Sequence, residues 1–370
     1  MSVGTNKRRV VVAMSGGVDS SLAAAMMVEQ GFEVIGITMK TYDYEDIGGN
    51  DGRDSSCCSL DGINMARSVA AQFNFPHYVF DFSKKFRQEV IDEFISEYLA
   101  GRSPNPCVTC NRKIKWEHLI EKARSLDADF ICTGHYARVR LDGTSGRYIL
   151  SRGRDSAKDQ SYALYRLTQE SLSRTIFPLA EMTKQEVREL SGKYGLASAN
   201  KPESYEICFV ADNDYARLLK DSVPGLGDHV GDGSIILNGK VIGRHHGYPF
   251  YTIGQRKGLG ISFEKPLYVK SIDPIRNSVE VDVEASLYSS SLEAEHVSLV
   301  KYDHFPEDET FKGKIRYKDG GADCTVKEIG DDRIEVHFLK PRRAVTPGQS
   351  VVIYEDDDVV GGGVISSTIQ

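Results

Sequence analysis

The stretch VVVAMSGGVDSS at residues 10–21 decides the fold of this chain. Its apolar start, residues 10–14, predicts a buried strand of a parallel sheet, and the Ala-rich run at residues 22–28 predicts a helix. Between them, Gly16 and Gly17 predict a tight loop, because glycine adopts backbone angles that other residues avoid. This order of strand, loop and helix points the unpaired N–H groups of the first helical turn at an anion.

The loop favours a nucleotide phosphate as that anion. Ser15, Ser20 and Ser21 add hydroxyl donors, and Asp19 could hold Mg²⁺ against a phosphate. Two common phosphate-binding motifs are excluded. A Walker loop needs a Lys followed by Ser or Thr, and no Lys lies between residues 9 and 40; the dinucleotide pattern G-x-G-x-x-G does not fit the loop either.

Length and composition predict a multidomain chain of the reducing cytoplasm. The 370 residues suggest two or three domains. No run of about 18 apolar residues is present, and the basic N-terminus lacks the apolar core of a signal peptide. Seven cysteines, an odd number, then indicate reduced thiols. The formal charge of −7 disfavours a chain coated with nucleic acid, but it permits a local basic groove.

Strands and helices alternate over about the first third of the chain, which predicts the α/β class with a doubly wound parallel sheet. Ligands bind such sheets beyond the carboxyl ends of the strands, where Ser15, Met39 and Gly134 are expected. The predicted strands cover residues 10–14, 33–39, 77–82 and 129–133, and the predicted helices cover residues 22–28, 61–73, 83–99 with Ser83 as N-cap, and 116–126.

The character of the chain changes after residue 222, where closely spaced glycines separate short strands. We interpret this region as a small β-rich domain. Alternating segments at 310–317, 325–329, 333–338 and 350–354 then predict a compact β-barrel. The expected division is a catalytic domain at residues 1–222, the β-rich domain at 223–285 and a C-terminal barrel at 286–370.

Cys107 and Cys110 form a C-x-x-C pair, predicted in a proline-rich loop before a helix. Nearby positive charges should lower the pKa of these thiols and make them nucleophilic; the charges are those of Arg112, Lys113 and Lys115. The alternative is half of a zinc site, for which Cys208 would be a third ligand and no fourth is evident.

The remaining cysteines have simpler interpretations. Cys132 in a predicted strand and Cys324 in the barrel are expected to be buried as small apolar residues. The adjacent Cys57 and Cys58 lie in a Ser- and Asp-rich loop and are interpreted as structural or incidental.

Several separated motifs together resemble the tRNA-specific 2-thiouridylases of the PP-loop ATP pyrophosphatase superfamily. They are SGGVDS at 15–20, PNPCVTCNRKIK at 104–115, the segment around Cys208, TGHYA at 133–137, KDQSY at 158–162 and TIGQRKGLG at 252–260. The resemblance covers nearly the whole chain. It implies that sulfur replaces O2 of the wobble uridine in tRNAs for Lys, Glu and Gln. ATP would adenylate the uridine with loss of pyrophosphate, and sulfur would then displace AMP.

The resemblance also implies roles for individual residues in a monomer that binds tRNA. Cys208 would receive a persulfide from a sulfur-carrier protein or cysteine desulfurase, and Cys110 would attack it, releasing sulfide or leaving a Cys110–Cys208 disulfide. ATP contacts are implied for Ala13, Met14, Ser15, Gly16, Gly17, Val18, Asp19, Ser20, Met39 and Gly134. Contacts with the flipped target base are implied for Asn105, Pro106 and Cys107, and tRNA contacts for Lys158, Asp159, Gln160, Arg316 and Tyr317.

Cys107 departs from the family pattern, because familiar bacterial members carry an Asp at this position as an acid or base. The substitution puts that role in doubt and creates a trio of thiols, Cys107, Cys110 and Cys208. Three thiolates can hold a [4Fe–4S] cluster and leave one iron open for sulfide. In that version Cys208 is a cluster ligand and no persulfide forms on it.

Two other classes of protein compete with this interpretation. Another PP-loop synthetase would explain the glycine loop, but not the three cysteines or the terminal barrel. A non-catalytic tRNA-binding or sulfur-carrier protein would tolerate the loss of Asp19.

Overall fold

The computed structural model describes residues 8–42, 60–201, 207–210, 212 and 214–369, so Cys57 and Cys58 lie outside the described residues. Up to residue 201 the elements are β1 (Arg9–Ala13), α1 (Val18–Glu29), β2 (Glu33–Lys40), α2 (Leu60–Gln72), β3 (His77–Asp81), α3 (Ser83–Phe86), α4 (Asp92–Leu99), α5 (Pro106–Cys110), α6 (Leu119–Ser125), β4 (Phe130–Cys132), β5 (Ala137–Leu141), β6 (Tyr148–Arg152), α7 (Ser161–Leu164), α8 (Gln169–Ser173), β7 (Thr175–Ile176) and α9 (Lys184–Lys193).

Beyond residue 213 short helices give way to strands. These elements are α10 (Tyr215–Ser222), α11 (Leu226–Val230), β8 (Gly233–Leu237), β9 (Lys240–His245), β10 (Tyr268–Asp273), β11 (Ser278–Asp282), β12 (Tyr288–Leu299), β13 (Phe311–Lys314), β14 (Ala322–Gly330), β15 (Arg333–Arg343), β16 (Ser350–Glu355) and β17 (Asp358–Ile369).

The chain divides into two compact units. The first comprises residues 1–90, 107–213 and 357–359, and the second comprises residues 91–106, 214–356 and 360–370. None of the helices in the described ranges combines the length and the apolar character that crossing a bilayer requires.

A five-stranded parallel sheet forms the first unit, in the order β3-β2-β1-β4-β7. This confirms the predicted α/β class. β1 is central, and its residues Val10, Val11 and Val12 are completely buried. Burying a side chain of this size stabilises a fold by about 1.5–3 kcal/mol. The small residues of α1 let the helix pack closely on β1, β2 and α9.

The C-x-x-C segment is helical, so the prediction of a loop there was wrong. Pro106 is the first residue of α5, where its fixed φ angle and missing N–H suit a helix start. The helical run continues through a π-helical segment (Asn111–His118) into α6, and it therefore begins well before the predicted residue 116. Cys107 and Cys110 thus lie one helical turn apart.

The expected N-cap at Ser83 was also wrong by one residue. Ser83 is already helical, and the N-cap residue is Phe82. The carboxylate of Asp81 caps this end instead, because its Oδ1 accepts hydrogen bonds from the Ser83 backbone N–H at 2.8 Å and from the Ser83 hydroxyl at 2.6 Å. These hydrogen bonds lower the pKa of Asp81.

Two β structures make up most of the second unit, as expected from the sequence. β10-β11-β8-β9 form a four-stranded sheet, and β12-β15-β14-β13-β16-β17 form a barrel that a β12–β17 pairing closes. One prediction fails here. The strand expected at residues 310–317 ends at Lys314, so Arg316 and Tyr317 lie in the turn that follows β13.

Candidate nucleotide and thiol site

The loop after β1 is fixed to the neighbouring strand β2 through both backbone groups of Met14. Its N–H donates to the carbonyl of Ile37 at 2.8 Å, and its carbonyl accepts from the hydroxyl of Thr38 at 2.7 Å. The backbone at the carboxyl end of β1 therefore has a defined direction before any ligand binds.

A network of serine hydroxyls closes the same loop. The hydroxyl of Ser20 accepts from the backbone N–H of Ser15 at 3.2 Å and donates to the carbonyl of Gly17 at 3.2 Å. The hydroxyls of Ser15 and Ser20 are 3.3 Å apart. Because Ser20 has a single hydroxyl proton, the Ser15 hydroxyl is the donor in that last contact.

Two glycines of this region have no room for a side chain. Gly16 has φ of +72°, and a Cβ there would lie 2.2 Å from the carbonyl oxygen of Gly62. A Cβ on Gly134, after β4, would lie 2.7 Å from the carbonyl carbon of Asp19. The loop therefore packs on the backbone of α2, and the segment after β4 packs on the backbone at the start of α1.

The start of α1 suits an anion. Gly17 is the N-cap residue and no side chain caps the helix, so N–H groups of the first turn are available to phosphate oxygens. The predicted ATP contacts at residues 13–20 form this loop and helix start, while Met39 lies near the carboxyl end of β2 and Gly134 follows β4. All lie on the edge of the sheet where the sequence predicted a ligand site.

Asp19 is bound by two groups that the sequence analysis missed. Its two carboxylate oxygens each lie 2.8 Å from Nζ of Lys184, and Oδ1 also accepts from the Tyr136 hydroxyl at 2.8 Å. The Lys184 side chain is only 12% exposed. Lys184 lies 165 positions from Asp19 in the chain, so no sequence spacing points to it. Tyr136, by contrast, lies in the TGHYA motif.

Lys184 is held by the start of its own helix. Thr183 is the N-cap of α9 and forms a capping box with Glu186, in which each side chain bonds the other residue's backbone N–H. The backbone N–H of Lys184 donates to Asp155 at 2.9 Å. The first turn of α9 thus aims the lysine at the loop.

These contacts bear on the predicted Mg²⁺ site. Both oxygens of Asp19 already accept from the Lys184 ammonium group, so an ion bound there would compete with it. Among the residues the structure describes, no three His, Cys, Asp or Glu side chains are grouped to hold a metal. Within the described residues, Asp19 is therefore a carboxylate already engaged by the protein rather than part of a preformed cage.

The thiol of Cys107 differs from expectation. The residue is exposed, yet desolvation by the surrounding protein raises the pKa of the thiol, and Lys115 opposes this only in part. The Cys107 side chain is accessible to a reagent in solution, but the protein around its sulfur still disfavours the charged thiolate. The predicted lowering was wrong for Cys107, because desolvation outweighs the positive charge of Lys115. Arg112 and Lys113 both pair with Glu117, at 3.2 and 2.9 Å.

Cys208 lies in a short turn with two anchors. The N–H of Val210 donates to the carbonyl of Ile207 at 2.9 Å, and the Tyr42 hydroxyl donates to the carbonyl of Cys208 itself at 2.7 Å. Phe209 is 1% exposed and packs edge-on against Phe86. The turn buries Phe209 and leaves the free thiol of Cys208 half-buried.

The three thiols do not form a ready cluster site. Cys107, Cys110 and Cys208 all belong to the first unit, but the described part of the chain has no metal-binding group of three side chains. The [4Fe–4S] alternative therefore stays a prediction. Cys132 and Cys324 are buried, as predicted, and burial raises the pKa of the Cys324 thiol to about 12.

Asp159 and Gln160, two of the predicted tRNA contacts, bond neighbouring residues through their side chains. Asp159 is buried, and its carboxylate accepts from the N–H and hydroxyl of Ser161, both at 3.0 Å. Gln160 bonds both backbone groups of Tyr136, at 3.0 Å through its side chain and 2.9 Å through its own N–H. These residues shape the segment beside Tyr136, whereas Lys158 is half-buried.

The remaining predicted contacts lie elsewhere. Pro106 is buried at the start of α5 and Asn105 is half-buried just before it. In the second unit, Arg316 and Tyr317 are both exposed. Their roles stay predictions.

The first unit combines a parallel sheet, a glycine loop and a helix start without a side-chain cap. These features define a nucleotide-binding protein of the PP-loop class. Family comparisons agree. Residues 8–212 match the family described as tRNA methyl transferase HUP domain, residues 226–282 match the tRNA methyl transferase PRC-barrel domain, and residues 289–365 match the aminomethyltransferase beta-barrel domain.

Full-length relatives identify the family more specifically than the domain matches do. The tRNA-specific 2-thiouridylase MnmA of Salinibacter ruber is 51% identical and covers 98% of this chain and 95% of the relative. The protein of the same description from Geotalea uraniireducens is 50% identical, over 100% of this chain and 98% of the relative. A solved 4-thiouridine synthetase–RNA complex with bound ATP is similar over 60% of this chain and 52% of that chain, with 18% identity and a TM-score of 0.39. The chain belongs to the tRNA-specific 2-thiouridylase family.

Proposed function

We propose that this chain catalyses the ATP-dependent 2-thiolation of the wobble uridine in tRNAs for Lys, Glu and Gln. One observation carries the proposal. The start of α1, which no side chain caps and which suits a phosphate, belongs to the same compact unit as the thiols of Cys107, Cys110 and Cys208. Membership of the 2-thiouridylase family supports the same activity. The boundaries 1–222, 223–285 and 286–370 remain our proposal for its catalytic, β-rich and tRNA-contacting parts.

ATP would be used at the loop after β1. In the first step O2 of the uridine attacks the α-phosphorus, which breaks the bond to the β-phosphate and releases pyrophosphate. N–H groups at the start of α1 suit the charge on the departing group. Lys184 pairs with Asp19 at 2.8 Å and would add a positive charge at the same helix start. Mg²⁺, when it accompanies ATP, would neutralise phosphate charge.

Sulfur would be transferred by the cysteines. A persulfide on Cys208, received from a sulfur-carrier protein or cysteine desulfurase, is the sulfur source. The Cys110 thiolate attacks the inner sulfur, so that a Cys110–Cys208 disulfide forms and hydrosulfide leaves. The hydrosulfide attacks C2 of the adenylated uridine, and AMP departs with the original O2. A thiol reductant then returns the disulfide to two thiols before the next turnover.

The test is a reconstitution under anaerobic conditions with ATP, Mg²⁺, unmodified tRNA and a persulfide donor. We expect 2-thiouridine, AMP and pyrophosphate in equal amounts, with none of the three formed when tRNA is omitted. Protein with a Cys110→Ser change should form no 2-thiouridine. A Cys110→Ser protein with undiminished thiolation would contradict the proposal.

Iron content separates the two sulfur routes. Iron-free protein that is fully active with the persulfide donor supports the route through Cys208. Activity that depends on stoichiometric iron and accepts free sulfide would instead assign Cys107, Cys110 and Cys208 to a cluster. Amide or argininosuccinate formation with Cys110 dispensable would point to a different PP-loop synthetase.

A further inference from the structure

The turn after β13 presents two cations and an aromatic ring to solvent. Arg316, Tyr317 and Lys318 are all exposed, whereas Asp319, the next residue, is buried. The ring of Tyr317 is among the exposed large side chains, at 41%. The contacts behind the turn explain how these three side chains come to lie at the surface.

A hydrogen bond gives the turn its shape. The backbone N–H of Asp319 donates to the carbonyl of Arg316 at 3.1 Å. This closes a four-residue turn in which Tyr317 and Lys318 are the central residues, and the side chains of central turn residues project away from the turn.

The buried carboxylate of Asp319 holds both ends of the turn. Its Oδ2 accepts from the backbone N–H of Ile315 at 3.0 Å, and its Oδ1 accepts from the N–H of Gly321 at 3.2 Å. The guanidinium group of Arg342, on β15, pairs with the same Oδ1. The Asp319 side chain is 4% exposed, so this charge is paired and fully bonded away from water.

Gly321 makes this arrangement possible. Its φ is +79°, and a Cβ at this position would lie 2.8 Å from Cγ of Lys312. The turn, its buried acid and the arginine on β15 thus form one preorganised element of the barrel.

We propose that Asp319 and Arg342 are positioning residues that present Arg316 and Tyr317 to an unpaired segment of RNA. This rests on the proposed function, in which Arg316 and Tyr317 contact tRNA. The chemistry suits that ligand, because an aromatic ring stacks on an unstacked base while flanking cations meet the phosphates. A turn that is already ordered loses less entropy on binding than a flexible one.

The experiment measures tRNA affinity directly, by fluorescence anisotropy with labelled unmodified tRNA and no ATP. Asp319→Asn keeps the size of the side chain but removes the charge and puts an amide against backbone donors. We expect about a tenfold weaker Kd for Asp319→Asn, similar to that for Tyr317→Ala. In the double variant the two effects should not add, because Asp319 acts through the turn.

Glu355→Gln is the matched control. Glu355 pairs with Lys301 and accepts from Tyr302 at 2.9 Å in the same barrel, and the β13–β16 register places it at the opposite end of β13 from the turn. The Glu355→Gln change should leave the Kd for tRNA unchanged. If Asp319→Asn does not fold, Arg342→Lys carries the test, because it keeps the charge but loses the planar donor geometry.

The outcomes are distinct. Unchanged affinity in Asp319→Asn, full additivity with Tyr317→Ala, an equal loss in Glu355→Gln, or no tRNA binding by the unmodified protein would each overturn the inference. Binding that depends on Asp319 while the reconstituted protein makes no 2-thiouridine would leave the inference intact and contradict the proposed function instead.

Discussion

The loop after β1 and the C-x-x-C helix belong to the same unit but are prepared for chemistry in different ways. The backbone of the loop is already held in place. Met14 is bonded through both its N–H and its carbonyl, and Gly16 fits against Gly62. In the helix, the thiol of Cys107 is exposed but has a raised pKa. Backbone geometry therefore fixes the first site, while the reactivity of the second depends on desolvation and on side-chain charge.

This difference has a physical basis. Backbone groups that are held by a sheet and a helix start need no further activation to meet a phosphate. A thiol reacts as its thiolate, and the cations that could stabilise one here are partly used by Glu117. We expect changes in the loop to act through geometry and to have large effects, and changes near the thiols to act through charge and to have small ones.

The largest effect is expected from Gly16→Ala. The added Cβ would meet the Gly62 backbone at 2.2 Å, at a φ of +72° that disfavours alanine. Strain of this kind costs about 3 kcal/mol, so kcat/KM for ATP should fall about a hundredfold. Gly17→Ala is the control, because its Cβ would have only an ordinary contact with the Ser15 hydroxyl at 3.4 Å. Equal losses in both variants would contradict the geometric account.

Lys184→Met should have the next largest effect. It removes the ammonium group from both oxygens of Asp19 and leaves the carboxylate facing the helix start where phosphate is expected. We expect kcat/KM for ATP to fall about tenfold, the loss of one partly buried charge contact. Lys193→Met, in the last turn of the same helix and exposed, should have no effect on ATP use. An unaffected Lys184→Met protein would show that this pair is only structural.

His135 lies next to Gly134 in the chain and is influenced by Lys115, so its titration reports on the protein around the loop and the C-x-x-C helix. It is buried, and desolvation, aided by Lys115, holds its pKa well below 6.5. The unfolded chain binds this proton below about pH 6.5 and the folded chain does not, so stability falls as the pH decreases. Between pH 6.5 and 5.5 the group should account for about 1 kcal/mol of the lost unfolding free energy.

Urea denaturation at several pH values measures this contribution. His135→Gln should make the acid side of the stability profile shallower. An identical acid slope in the His135→Gln protein and the unmodified protein would argue against a neutral buried His135.

The smallest effect is expected at the thiol. Lys115 lowers the raised pKa of Cys107, so Lys115→Met should raise that pKa further and slow alkylation at pH 8 by about threefold. Lys113→Met should change the rate little, because Lys113 pairs with Glu117 at 2.9 Å. Mass spectrometry of peptides labelled by iodoacetamide reports Cys107 separately. Faster labelling in Lys115→Met would contradict this charge assignment.

The sequence predicted the fold where the signal is local. An apolar strand, a glycine loop and an Ala-rich helix are adjacent in the chain, and β1 and α1 have this order. The prediction failed where one residue type serves two structures. The prolines at 104 and 106 indicate a loop, but proline also suits the first position of a helix, where Pro106 lies.

The candidate site was harder to predict because its contacts are distant in sequence. Nothing near Asp19 predicts Lys184, and nothing near Cys208 predicts the hydroxyl of Tyr42. The pKa of Cys107 is raised chiefly by desolvation in the folded protein and is lowered by Lys115, while Arg112 and Lys113 pair with Glu117. Such competition between side chains is decided by the fold rather than by spacing.

The central claim is that the loop and the cysteines perform successive steps of one reaction. The most direct test is a single-turnover experiment with Cys110→Ser protein, ATP and unmodified tRNA, in which pyrophosphate and 2-thiouridine are followed together. The account predicts that pyrophosphate is still released in a tRNA-dependent burst while no 2-thiouridine forms. Formation of 2-thiouridine at the normal rate, or a pyrophosphate release that does not require tRNA, would contradict it.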